Sequence, residues 1–212
     1  MNLEQILEAV YSITRESDRS AAEVTAYVNR ALKDAAFQVQ MPELKTIGVV
    51  TVSASVAYVA LTGLTGGFGG TLRRVNNSTG IAMTMYPTLE LLMDAYPTMA
   101  EVGDVESVTL EGNTLWYQKI PAIAEVLTVL YYKNPPELSA LSDEPSFLPS
   151  QVHFKLAVNG ASYLILDEVE EGLDGDKTNT NAQYGHYMRG VTSLKNWLER
   201  TKRHYISSVW DK

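Results

Sequence analysis

The chain has 212 residues, no cysteine, and 25 acidic against 17 basic side chains, for a formal net charge of −8. Disulfide frameworks and thiol chemistry are therefore excluded, and the acidic balance argues against a sequence-reading DNA binder, which carries a basic patch, though not against a surface past which DNA slides. The length suits one large domain or a helical domain with an inserted β module. No apolar run reaches the roughly twenty residues of a membrane span, and the start, MNLEQILEAV, lacks the basic opening and long apolar core of a signal peptide, so synthesis and folding are expected in the cytoplasm.

After Asn2, residues Leu3, Ile6, Leu7, Val10 and Ile13 recur at helical spacing and predict an amphipathic helix. The stretch 17–19 is a break. Ser20 with Glu23 forms a capping box, in which each side chain satisfies a free backbone amide of the other residue. Val24, Val28, Ala31, Leu32, Ala35 and Val39 make a second apolar stripe, which Pro42 ends.

From residue 46 to 132 the pattern turns to strands. Candidates are 47–52, 56–61, 105–110, 114–118 and 125–132, with a hairpin turn at Gly112-Asn113 and one short helix over 89–96. The glycine-rich run 63–71, with Gly66, Gly67, Phe68, Gly69 and Gly70, lacks the lysine of a P-loop and the surrounding βαβ unit of a dinucleotide site. It reads as a mobile hairpin tip.

The stretch 130–151, LYYKNPPELSALSDEPSFLPSQ, marks a hard change from β to α. Pro135-Pro136 and Pro149 each remove a backbone donor and restrict the residue before them, and Ser150 is placed to cap a long helix. That helix, with Val152, Phe154, Leu156, Ala157, Val158, Ala161, Tyr163, Leu164, Ile165 and Leu166, is apolar nearly all round and should be central and buried. Ala157, Gly160 and Ala161 let a neighbour approach closely, and Gly172 is a stop signal. A last helix carries Tyr184, Met188, Val191, Leu194 and Leu198 on one stripe.

Chemistry-bearing patterns are sparse. The acids Asp167, Glu168, Glu170, Glu171, Asp174 and Asp176 fit a calcium loop poorly, because Asn179 stands where the glycine belongs and no closing glutamate follows. They oppose the dipole of the helix they end, a cost that a basic partner would offset. His153, His186 and His204 show no metal spacing, and no Gly-x-Ser-x-Gly elbow occurs. No cofactor, metal or catalytic residue is therefore expected, and the chain does not read as an enzyme. The end, with Arg200, Lys202, Arg203, Tyr205, Ile206 and Trp210, is richer in cations and aromatics than a frayed terminus. It either folds back on its own bundle or orders on a partner.

The layout of 130–151 resembles the head-to-tail adaptor (connector) proteins of tailed double-stranded DNA phages, in which a strand ending YY-x-x-P-x-x-L-S leads through an Asp-Glu-Pro loop into two closing helices. Gly112 to Tyr117 with Pro121 and the strand 125–132 is similar to that family's last hairpin, and the tyrosine-bearing helix with Gly190 and Leu194 to its final helix. The resemblance implies a structural virion protein of the phage neck, assembled in the host cytoplasm. It implies a homo-oligomeric ring, a dodecamer, beneath the portal protein. A tail or nozzle protein would bind on the other side, and genomic DNA would pass through without sequence-specific binding or contact with a membrane. By the same resemblance, 200–212 grips the portal through Arg200, Lys202, Arg203, Tyr205, Ile206 and Trp210. Gly66 to Gly70 would contact the next ring or the tail, and Glu168, Glu170, Glu171, Asp174 and Asp176 would form an acidic patch between subunits.

The expected fold is α+β: a bundle of N- and C-terminal helices with an inserted antiparallel β module. Its parts are an N-terminal helical pair (1–42), the β module (43–134), closing helices (135–199) and a terminal arm (200–212). Two other readings stay open. One is a different neck or tail-completion protein. The other is a small-molecule or glycan-binding module using the Tyr and Trp residues of the β region.

Overall fold

The computed structural model describes residues 1–170 and 177–210, the last stretch, 202–210, by its backbone alone. The fold is α+β. The chain divides into a helical unit, Met1–Met41 with Pro135–Lys212, and a β unit, Pro42–Asn134.

In the helical unit, α1 (Leu3–Thr14) and α2 (Ala21–Gln38) both start with reciprocal caps. Asn2 accepts from the Gln5 amide while Gln5 accepts from the Asn2 amide, and Ser20 and Glu23 do the same. Arg15, in the left-handed region at φ 59°, ends α1. The stripe Val24, Val28, Ala31, Leu32, Ala35 and Val39 is buried throughout. On α1 the last inward position is Thr14, not Ile13, and its hydroxyl donates to the Val10 carbonyl.

Ser150 does not cap a long α-helix. Instead a 3-10 turn, Ser150–Val152, leads into a π-helical turn, Phe154–Val158, and only then into α4 (Asn159–Glu170). The wider turn shifts the apolar phase, so Leu156, Ala157 and Val158 are buried while Phe154 is 46% exposed. Helix α4 packs against α1, α2 and α5 (Thr178–Trp210). Gly160 makes the crossing close: a methyl group there would stand 2.8 Å from the Ala31 Cβ and 2.9 Å from the Tyr187 ring. On α5 the aromatic facing the core is Tyr187, while Tyr184 is 45% exposed. The helix continues through Arg200 without a break.

The β unit holds two sheets over one core. One has the order β1-β7-β3, from β1 (Lys45–Val52), β7 (Glu125–Lys133) and β3 (Phe68–Asn76); the other has the order β2-β6-β5-β4, from β2 (Tyr58–Ala60), β6 (Thr114–Tyr117), β5 (Ser107–Glu111) and β4 (Thr84–Tyr86). Val50, Val52, Leu72, Val75, Leu127, Val129 and Tyr131 from the first sheet share the core with Val108, Leu115 and Tyr117 from the second. Gly112, at φ 59°, is the first of two hairpin residues between β5 and β6, a position where a type II′ turn needs glycine. Among the named strands one pairing departs from the antiparallel expectation: β4 runs parallel to β5. A parallel neighbour needs a crossover, which the segment with α3 (Leu89–Ala95) supplies.

The glycine-rich run is also corrected. Phe68, Gly69 and Gly70 belong to β3, not to a hairpin tip, and the Phe68 ring lies in the core against Tyr131, 6.2 Å between centroids. Only Gly66 and Gly67, both at positive φ, form the turn. Gly69 has no room for a side chain, since its Cβ would fall 2.7 Å from the Tyr132 carbonyl oxygen.

Candidate functional site

The stretch 135–149, singled out by its prolines, is a clip within the helical unit. Asn29 on α2 grips the backbone of Leu138 at both ends: its side-chain amide donates to the Leu138 carbonyl (3.0 Å) and its side-chain oxygen accepts from the Leu138 amide (2.9 Å). Leu138 itself is buried. Asp143 then closes a turn by accepting from the amides of Ser139 and Ala140, both at 2.8 Å. These hydrogen bonds, that from Ser139 first, hold the Asp143 carboxyl below the usual carboxylate range. The carbonyls of Asp143 and Leu141 in turn accept from Leu3 and Glu4, two of the free first-turn amides of α1. The motif thus fastens α1 and α2 to the closing helices.

His153 completes this corner. It is buried, and its Nε2 lies 3.0 Å from the Leu148 carbonyl, so Nε2 bears the proton and donates. Nδ1 is left to accept from the Met1 ammonium at 3.1 Å. Both ring nitrogens are occupied by structural bonds. His186 is exposed on α5, and the side chain of His204 lies outside the described residues. Among the described residues no group of three or more His, Cys, Asp or Glu is placed to hold a metal ion.

The structure separates the acids at the end of α4. Glu168 accepts from Tyr27 (2.5 Å) and pairs with Arg19 (3.3 Å), which itself donates to Tyr27. Asp167 pairs with Lys177 at 2.9 Å. Glu170 is buried and accepts from the amide (3.1 Å) and hydroxyl (2.6 Å) of Thr180, in the first turn of α5. The hydrogen bond from the Thr180 hydroxyl is the main reason its pKa is lowered. The unfavourable end of α4 is thereby matched to the favourable N-terminus of α5, a partner that sequence reading missed because it lies on the next helix. Glu171, Asp174 and Asp176 are outside the described residues.

Of the terminal cluster, Arg200 is exposed on α5, where it lines a pocket with Trp197 and Lys155. Lys202, Arg203, Tyr205, Ile206 and Trp210 fall on the same helix, with side chains outside the described set. In the β unit a cleft of about 670 Å³ is lined by Asp104, Glu106, Glu125, Ile81, Ile123 and Val126 among others. Glu125 there accepts from the amide and hydroxyl of Ser78.

None of these arrangements sets a nucleophile beside a base or gathers metal ligands; they are clips, caps and surface pockets. A family model described as the SU10 adaptor protein matches residues 1–207. The chain belongs to this family. No curated protein matches it. The match to the SU10 adaptor model spans both units. It makes the chain a phage adaptor, a structural class that is normally non-enzymatic.

Proposed function

We propose that the chain is a head-to-tail adaptor that forms a ring under the portal, extends the DNA channel and offers the tail or nozzle its attachment surface. The observation that carries this reading is the family match over 1–207. Several features support assembly of copies. Ile47 and Val49 on β1 are 68% and 62% exposed, and Val126 on β7 is 46% exposed. The pairs Ile47–Leu130 and Thr51–Val126 put them on one face of the sheet. Exposed apolar side chains grouped on one sheet face in this way are what a subunit contact covers. The net charge of −8 suits a channel wall that DNA phosphates do not stick to.

The C-terminal part of α5 is the proposed portal-gripping element, with Arg200, Lys202, Arg203, Tyr205, Ile206 and Trp210 as its contacts. Buried aromatic anchors at interfaces commonly contribute about 2 kcal/mol or more, against less than about 1 for an exposed ion pair. Trp210→Ala should therefore weaken portal binding more than Lys202→Ala. Co-sedimentation of purified chain with portal rings tests this. Truncation after Glu199 should abolish co-sedimentation while leaving the helical circular dichroism and a cooperative melt. A truncated chain that still binds the portal normally would overturn the assignment.

A further inference from the structure

The pocket beside Arg200 is unlike the rest of this acidic chain. It holds about 420 Å³ between the turns of 149–155 and α5, and its lining combines Pro149 and Val152, the indole of Trp197, the amide of Asn196 and the cations Lys155 and Arg200. Among the described residues no carboxylate lines it. Neither cation takes part in an ion pair or hydrogen bond among the described residues. Both are exposed at its rim, and two like charges lining one concave surface are drawn to an anion that joins them.

The local fold places both cations at one pocket. Asn196, Trp197 and Arg200 succeed one another at i, i+1 and i+4 on α5, and Lys155 stands on the π-helical turn opposite. Gly190 lets the two elements close: a Cβ there would lie 2.8 Å from the Lys155 Cβ and 3.0 Å from the Leu156 side chain. Trp197 is 37% exposed, so its ring offers an apolar wall to an incoming group. Arg and Trp are the side chains that most often dominate protein interfaces, and guanidinium binds carboxylate in a planar, two-bond fork.

We propose that this pocket receives a carboxylate-bearing, acidic segment of the partner protein on which the helical unit docks. The adaptor reading supplies the identity of that partner, the portal; the ligand chemistry follows from the pocket alone. Protein is favoured over DNA because DNA affinity is built from many phosphate contacts, on the order of six to ten. Two cations in a concave site on a chain of net charge −8 do not provide them.

The test uses the full-length chain at low ionic strength, with a short oligoglutamate peptide as probe and DNA oligonucleotides as competitor. The indole Nε1–H resonance of Trp197, assigned by its loss in Trp197→Phe, should move saturably with oligoglutamate and not with oligolysine. In Lys155→Glu/Arg200→Glu it should stay still, and portal binding should weaken about tenfold or more. A Trp197 resonance that ignores oligoglutamate in the wild-type chain overturns the proposal whether or not the variant folds. So does a resonance that moves only with DNA, which would make the pocket a nucleic-acid contact. Charge reversal that leaves portal binding unchanged overturns the docking role. If the wild-type chain fails to bind portal yet oligoglutamate moves Trp197, the adaptor reading falls and the pocket assignment stands.

Discussion

Asn29 shows how much of this protein's organisation rests on single polar side chains. Its two bonds to the Leu138 backbone are the link between α2 and the proline-bounded clip. Asn29→Ala leaves a part-buried amide and carbonyl without those partners, so urea unfolding should show a loss of about 1–3 kcal/mol. Titratable groups set the pH limits. Glu170 and Asp143 have lowered pKa values in the folded chain. Their contribution is present above the ordinary carboxylate range and fades as pH falls through it. Thermal melts should therefore drop on acidification below about pH 4, less steeply in Glu170→Gln. At the other end, burial raises Tyr117 from 10.0 to about 12 and raises Tyr187 as well. The unfolded chain loses these phenol protons first, so stability should fall as pH rises from about 10 towards 12. A melting temperature flat across that window would contradict the burial of these rings.

At the scale of elements, two glycines in the closing helices should respond in opposite directions to the same change. Gly185 on α5 has open space around it, so Gly185→Ala should stabilise by up to about 1 kcal/mol through helix propensity. Gly160→Ala gains the same propensity but drives a methyl group into Ala31 and the buried Tyr187. Such overpacking costs about 1–3 kcal/mol, so the net effect should be destabilising. Comparison of the two melting temperatures checks the crossing of α4 over α2 and α5. The legible elements were those with an unbroken local signal. Helical apolar spacing predicted α1, a capping box with a clean apolar stripe predicted α2, and Gly112-Asn113 predicted the β5–β6 turn. Strand β3 was missed because its inward residues Phe68, Leu72 and Val75 are spaced by four and three, not two. Irregularities between Phe68 and Thr71 and between Leu72 and Arg74 break the alternation. The misread start of the central helix has the same kind of cause, since a π-helical turn shifts a 3.6-residue pattern. The partners of Glu168 and Glu170 were illegible because Arg19 and Tyr27 lie far away in sequence and Thr180 lies on the next helix. The pocket at Trp197 pairs two separate elements, so of its residues only Arg200 was read in advance as a partner contact.

For the whole molecule, the family match fixes the kind of protein, and the assembly is the step that remains to be measured. Copies of a chain with net charge −8 repel one another. The free chain should accordingly run as a monomer or weak associate in sedimentation velocity at low micromolar concentration, and stable rings without portal would count against a templated assembly. The most direct measurement is electron microscopy of purified chain mixed with its portal. The account predicts a second ring of density coaxial with the portal, its helical unit at the portal face and its central channel open. Portal rings that remain bare at saturating chain, or density that decorates the portal without a ring, would contradict it.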